Sequence, residues 1–142
     1  MSTIADVLKN KGSDVWSVSP DTSVYDAIEY MAEKQIGALA VVDGDKMAGI
    51  VSERDYARKV ILQDKLSKET KVGEIMTERV IYTRPDQRVD HCLAIMNENH
   101  IRHMPVLDDE KLIAMLSVKD LVNIIIDEQK VLIKQLETYI SG

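Results

Sequence analysis

Apolar positions along this chain switch between helical and strand spacing, and the switching runs through the same order twice. Ile4, Val7 and Leu8 share one face of a short helix that Thr3 can cap, that runs to about Asn10, and that Gly12 stops. Val15 to Val18 predicts a short strand, and Pro20-Asp21-Thr22-Ser23 then supplies a turn and capping oxygens. Val24, Ala27, Ile28 and Met31 recur at helical spacing and predict a helix to about Lys34. Two apolar runs, Ala38 to Val42 and Met47 to Val51, flank the turn signal Asp43-Gly44-Asp45 and predict a hairpin. Ser52 caps a further helix whose apolar side is Tyr56, Ala57, Val60 and Ile61.

Gln63 to Lys71 is polar, has no periodicity and reads as a surface linker. After the single turn Val72 to Thr77 the order repeats: strand Ile81 to Thr83, helix from about Val89 to Asn99, strand His103 to Leu107, turn Asp108 to Lys111, strand Leu112 to Leu116, helix from Val118. That last helix runs to about Tyr139 and carries Val118, Leu121, Val122, Ile125, Leu132, Leu136 and Ile140 as a stripe. Such an overhang either folds back on its own domain or builds a homodimer, and symmetric dimers are the commonest oligomers.

The repetition is literal. Val15 to Arg58 aligns with Val80 to Asn123 at a constant offset of 65 residues, without a gap, and pairs such as Pro20/Pro85, Asp21/Asp86, Met31/Met96, Ser52/Ser117 and Asp55/Asp120 are identical. Two long units pair around a pseudo-two-fold axis more readily than they form a solenoid, which needs at least three. The expected fold class is therefore α+β, close to α/β: two pseudo-two-fold-related β-α-β-β-α units in one module. The expected division is 1–70, with the N-terminal helix and linker, and 71–142, with the long final helix.

Composition narrows the function classes. With 142 residues and 45% hydrophobic content the chain can bury a core, while a net charge of −6 provides no general attraction to nucleic acid or anionic lipid. No run approaches the roughly 20 apolar residues of a membrane span, and the N-terminus has no basic region followed by an apolar core, so the cytoplasm is the expected location. The single Cys92 cannot form an internal disulfide and reads as a small buried apolar residue.

The candidate chemistry lies where strand meets helix. Ser52-Glu53-Arg54-Asp55 and Ser117-Val118-Lys119-Asp120 each offer a hydroxyl, a cation and a carboxylate. First-turn amides, hydroxyl and cation suit a phosphate, and the carboxylate suits a vicinal diol; the plainer alternative is a helix cap with Asp at the third position. Ile101-Arg102-His103-Met104-Pro105-Val106 begins the hairpin of the second unit, so the repeat register puts Arg102 and His103 beside the Ser117 cluster. The first unit has Ile36-Gly37-Ala38 instead, making the second cleft the better equipped for phosphate. His91, His100 and His103 lack metal-ligand spacing, and no phosphate loop or nucleophile motif gives catalysis a foothold.

The tandem repeat, the Pro-Asp after each short strand, Ile-Arg-His-Met-Pro-Val and Gly-Ile-Val-Ser-Glu-Arg-Asp together resemble a pair of CBS (cystathionine-beta-synthase) domains, a Bateman module, of the stand-alone type. The resemblance implies a non-catalytic sensor, with no required cofactor or metal, that binds an adenosine-containing ligand: AMP first, then ATP, ADP or NAD(H). It also implies a disc-like homodimer and leaves room for an unidentified protein target. A ligand-free interaction module and an S-adenosylmethionine binder are the alternatives. Carried over by position, Asp55 and Asp120 hold ribose, Ser52 and Ser117 contact phosphate, and Arg54, Lys119, Arg102 and His103 face phosphate groups. Backbone and side chains around Val80 to Thr83, Tyr82 among them, and around Trp16, Ser17 and Ser19, with Ile36 and Ile101, border the base, and Ala38, Met104 and Pro105 complete the nucleotide-binding set. Ala114 stands where the first repeat has Gly49.

Overall fold

A computed structural model describes residues 2–12 and 14–141. In order, the elements are α1 (Ile4–Lys11), β1 (Ser17–Val18), α2 (Val24–Lys34), β2 (Ala38–Asp43), β3 (Lys46–Ser52), α3 (Glu53–Lys59), a 3-10 turn (Ile61–Gln63), α4 (Val72–Ile75), α5 (Val89–Glu98), β4 (His103–Asp108), β5 (Lys111–Ser117) and α6 (Val118–Ser141). Helices and small sheets mix as the α+β class requires. The first sheet runs β1-β2-β3, with β1 parallel and β3 antiparallel to β2, and the second is the antiparallel pair β4-β5.

Local chemistry repeats along with the sequence. Ser23 caps α2 by accepting from the Asp26 amide at 3.1 Å. Ser52 and Ser117 cap α3 and α6 by accepting from Asp55 and Asp120, each at 3.2 Å. Both hairpins carry a register shift at the same place, between Val41 and Val42 and between Val106 and Leu107. Gln35 and its counterpart His100, just past α2 and α5, both take left-handed backbone to turn the chain into the sheet.

One expected element is reduced. Ile81 to Thr83 contributes only a single parallel bridge, Thr83 to Val106, where the first repeat has the strand β1. The cause is Pro105. Its carbonyl accepts from the Thr83 amide at 2.9 Å, so the N–H it lacks would have pointed to that same side, and the ladder loses its next rung.

The halves exchange their leading helices. The amides of Ile4 and Ala5 donate to Gln87 and Pro85, and those of Val72 and Gly73 donate to Thr22 and Pro20, the matching carbonyls of the other repeat. Ile4 and Val7 are buried with Val89, Met96, Met104, Leu116 and Leu121 in one core, and Val72 and Ile75 with Val24, Met31, Leu39 and Val51 in the other. Each core is therefore closed by a helix that lies nearer, in sequence, to the opposite repeat. The linker is tied down as well: α2 begins on carbonyls of Thr70 and Ser67 at 2.8 and 3.0 Å.

Candidate functional site

The Ser52 turn is held by its own backbone. Asp55 Oδ2 accepts from the Ser52 amide at 2.9 Å and from its hydroxyl at 3.1 Å, and Lys59 Nζ stands 3.1 Å from Oδ1. The cap predicted as the plainer alternative is thus present. It does not consume the group: a carboxylate has about four acceptor positions, and these bonds take three. Asp55 is 9% exposed and faces a hollow rather than bulk water.

That hollow, about 270 Å³, is walled by both halves. The first repeat contributes Gly37, Ile50, Ser52, Glu53, Arg54 and Asp55, and the second half contributes Thr77, Arg79, Val80, Ile81, Ile101, Arg102 and His103. Two contacts fix the junction. Thr77 adds one antiparallel bridge to Ile50 at the edge of β3, with amide bonds of 2.8 and 3.0 Å in both directions. Arg54 reaches across to donate to the His100 carbonyl at 2.9 Å.

Glycine shapes both walls. A Cβ on Gly49 would lie 2.5 Å from the Thr77 carbonyl oxygen, so only glycine admits the crossing strand; among the described residues no such bridge is made onto β5, where the matching position is Ala114. A Cβ on Gly37 would come 3.1 Å from Glu53 Oε1 and 3.3 Å from His103 Cε1. Glycine therefore keeps that rim open.

The structure places Arg102 and His103 on the first cleft, whereas the repeat register assigns them to the Ser117 cluster. His103 does pair with Ser117 across β4-β5, but its imidazole lies over Gly37 of the other half. Burial pulls the His103 pKa below its ordinary value, with Lys11, Arg102 and Arg54 acting the same way and Asp120 opposing them. The ring is neutral at pH 7.

The second turn is differently engaged. Asp120 Oδ2 accepts from the Ser117 amide at 2.8 Å and from Lys11 Nζ at 2.8 Å. Burial works against its ionisation, yet the Lys11 and Ser117 bonds prevail and hold the carboxyl below its usual range. Lys119 is exposed.

The remaining expected residues scatter. Trp16 packs edge-on to Tyr30, with Lys34 Nζ 4.3 Å above its ring; Ser17 sits in β1, and Ser19 stabilises the turn before α2 by accepting from Asp21. Ile36 packs on the first core, and Ala38, Met104 and Pro105 are buried. Thr83 is buried against Cys92, at 3.1 Å, and Tyr82 is exposed. Sequence reasoning missed Gly37, Ile50, Glu53, Thr77 and Arg79 as wall residues. Among the described residues no group of His, Cys, Asp and Glu is arranged to hold a metal, and no helix is long and apolar enough to cross a membrane.

Comparison with known proteins gives a consistent answer. The CBS domain family matches residues 4–62 and 72–127. The CBS domain-containing protein CBSX3, mitochondrial, of Arabidopsis thaliana is 41% identical over 99% of this chain and 73% of its own length. Several longer curated relatives match over only 20 to 36% of theirs. A CBS-domain protein from Burkholderia ambifaria has the same fold, at TM-score 0.87 and 53% identity, covering 90% of this chain and 96% of that one. The CBS pair of MJ0100, solved with 5'-methylthioadenosine and S-adenosyl-L-methionine, superposes at TM-score 0.80 and 25% identity, over 90% and 98% of the two chains.

Proposed function

The chain belongs to the CBS-domain family, and from that premise we propose that this regulatory pair takes an adenosine ligand bearing phosphate, AMP foremost, in its first cleft. The observation that carries the reading is the meeting of Ser52 and Asp55 from one half with Arg79, Arg102 and His103 from the other. The carboxylate has an acceptor position left for a ribose hydroxyl, and a second sugar bond would displace the Ser52 hydroxyl. The lining holds Arg54, Arg79 and Arg102 against Glu53 and Asp55, a surplus of one positive charge with His103 neutral. That balance favours a phosphorylated nucleoside over S-adenosylmethionine, whose sulfonium and ammonium outnumber its carboxylate. At about 270 Å³ the hollow suits a mononucleotide better than a dinucleotide such as NAD(H).

The module has no catalytic role in this reading. It acts in the cytoplasm or, as the name of the Arabidopsis relative suggests, an organelle, and reports ligand to a separate protein target by unequal affinity for two conformations. It does so as a homodimer whose two-fold contact includes α6. The runner-up, an interaction module with an empty cleft, is favoured by the apolar length of α6 alone.

Calorimetry with AMP and adenosine separates the two. The wild type should bind AMP at least tenfold more tightly than adenosine, and Arg79→Ala with Arg102→Ala should close that gap while leaving adenosine unchanged. Because both arginines are exposed, the pair of substitutions leaves the core intact. Equal affinity for AMP and adenosine in the wild type would remove the phosphate from the account, and binding of neither would leave the interaction module standing.

A further inference from the structure

The two clefts are not equally free. On the ligand reading above, Asp55 and Asp120 are the equivalent sugar acceptors, but among the described residues Asp55 faces the hollow that holds Arg54, Arg79, Arg102 and His103, whereas Asp120 faces a groove between α1 and α6. Asp120 is met by Lys11, the last residue of α1, which donates to Oδ2 at 2.8 Å with the two side chains only 30% and 24% exposed. The groove there is lined by Lys11 and Asp120 themselves, with Val7, Asn10, Asn123 and Asp127 among its walls, and no arginine joins them.

The repeat makes the contrast sharper. The leading helices correspond through their caps, Thr3 with Lys71 and the third-position carboxylates Asp6 with Glu74. That register holds over the four residues of α4; beyond it α1 continues as a helix to Lys11, while the other chain segment leaves the helix at Met76 and reaches Arg79 in non-helical backbone. Arg79 stays at the wall of the first cleft, with no ion pair or hydrogen bond to Asp55, whereas Lys11 lies directly on Asp120. Asp55 takes its lysine from within its own helix, Lys59, which also donates to the Ile75 carbonyl at 2.8 Å and is no part of the cleft wall. The matching position in α6 is Ile124, which is buried in the second core and has no charge to offer.

We propose that Lys11 is a built-in occupant of the second cleft: its ammonium donates to Asp120 where a ligand's sugar hydroxyl would, so the chain binds one adenosine ligand, in the first cleft, and admits a second only when α1 releases that lysine. The contact joins an arm from the start of the chain to the first turn of its last helix. Whatever moves α1 therefore controls the number of sites.

The test uses AMP titrated calorimetrically into the full chain. The wild type should give one site per chain, lost in Asp55→Ala. Lys11→Met, which keeps the aliphatic stem against the groove, should add a second site that Asp120→Ala removes, and Lys11→Arg should keep the cleft closed. In the Asp55→Ala background, Lys11→Met should raise AMP affinity at least tenfold. A wild type with two equal sites, or Lys11→Met with no added site, overturns the proposal. Should the wild type bind no AMP while Lys11→Met binds one at Asp120, the lysine stands and the first-cleft reading falls. Binding by neither removes both. Thermal melts of each variant confirm that it is folded.

Discussion

At the scale of single residues, the crossing of Thr77 over Gly49 has a direct consequence. With 2.5 Å between a would-be Cβ and a backbone oxygen, and Met76 Sδ at 3.0 Å, the added methyl cannot be absorbed by a rotamer change. Gly49→Ala should lower unfolding free energy by about 1–3 kcal/mol, the usual cost of overpacking, and loosen the junction where the cleft forms. Urea denaturation measures the first effect; an unchanged midpoint would mean that the two halves can slide apart without strain.

His103 makes a pH prediction. Its folded pKa is depressed, first by burial and then by Lys11, Arg102 and Arg54, with Asp120 opposing. The unfolded chain therefore binds a proton that the folded chain refuses, and stability rises with pH across the interval between the folded value and the ordinary value of about 6.5. Acidifying from pH 7 should cost stability that His103→Gln does not lose. The depressed carboxyl of Asp120 acts in a separate window: its contribution is complete above about 3.9 and disappears only as pH falls below that. If the wild type and His103→Gln show parallel midpoints from pH 7 to about 5, the ring is not held neutral by its surroundings.

Among the elements, α6 is the one whose surface exceeds its support. Leu121 and Ile124 enter the second core, but residues 131–141 are all exposed, including Leu132, Ile133, Leu136, Tyr139 and Ile140, the last two at 85 and 82%. A helix of 24 residues extends about 36 Å, well past its own sheet. Apolar rows of this length associate, so Leu132→Glu with Leu136→Glu should convert a dimer to monomer in light scattering while the far-ultraviolet helix signal falls only slightly. A monomeric wild type, or a hexamer indifferent to these changes, would refute the dimer through α6.

The same elements show what sequence can and cannot carry. Periodicity located the long helices and both hairpins to within a few residues, because burial of one face is written into the spacing of apolar residues, but it overran α3, which stops at Lys59 and leaves Ala57 and Ile61 exposed. The reduced strand at Thr83 was legible in principle: Pro105 removes the N–H that the ladder needs, a fact about one residue in one register. The sharing of residues between the two clefts was not. A constant offset says which residues are equivalent, not which half they face, and His103 and Arg102 cross to the other repeat because the pseudo-dyad presses the corner before β4 against Gly37. Arg79 and Thr77 lie in a stretch with neither strong periodicity nor a motif, and only the edge of β3 gives them a place.

For the molecule as a whole, the exchanged helices decide how it folds. Cutting between the repeats would leave residues 1–70 with a core lacking Val72 and Ile75, and residues 71–142 with a core lacking Ile4 and Val7, four fully or almost fully buried side chains. Each also loses backbone bonds across the cut: residues 71–142 lose the one that Val89 donates to Ser2, and residues 1–70 lose those that Val72 and Gly73 donate to Thr22 and Pro20. Losing one large core side chain typically costs about 2–5 kcal/mol, and a domain has only about 5–15 to lose. Neither half should therefore fold alone, though both should fold when mixed, since every missing contact is supplied by the partner. A two-dimensional amide spectrum of each fragment, then of the mixture, reads this directly: collapsed dispersion for each alone and native dispersion together. A well-dispersed spectrum from residues 71–142 alone would show that α1 is an accessory, and with it the route by which movement at the N-terminus reaches Asp120 would lose its mechanical basis.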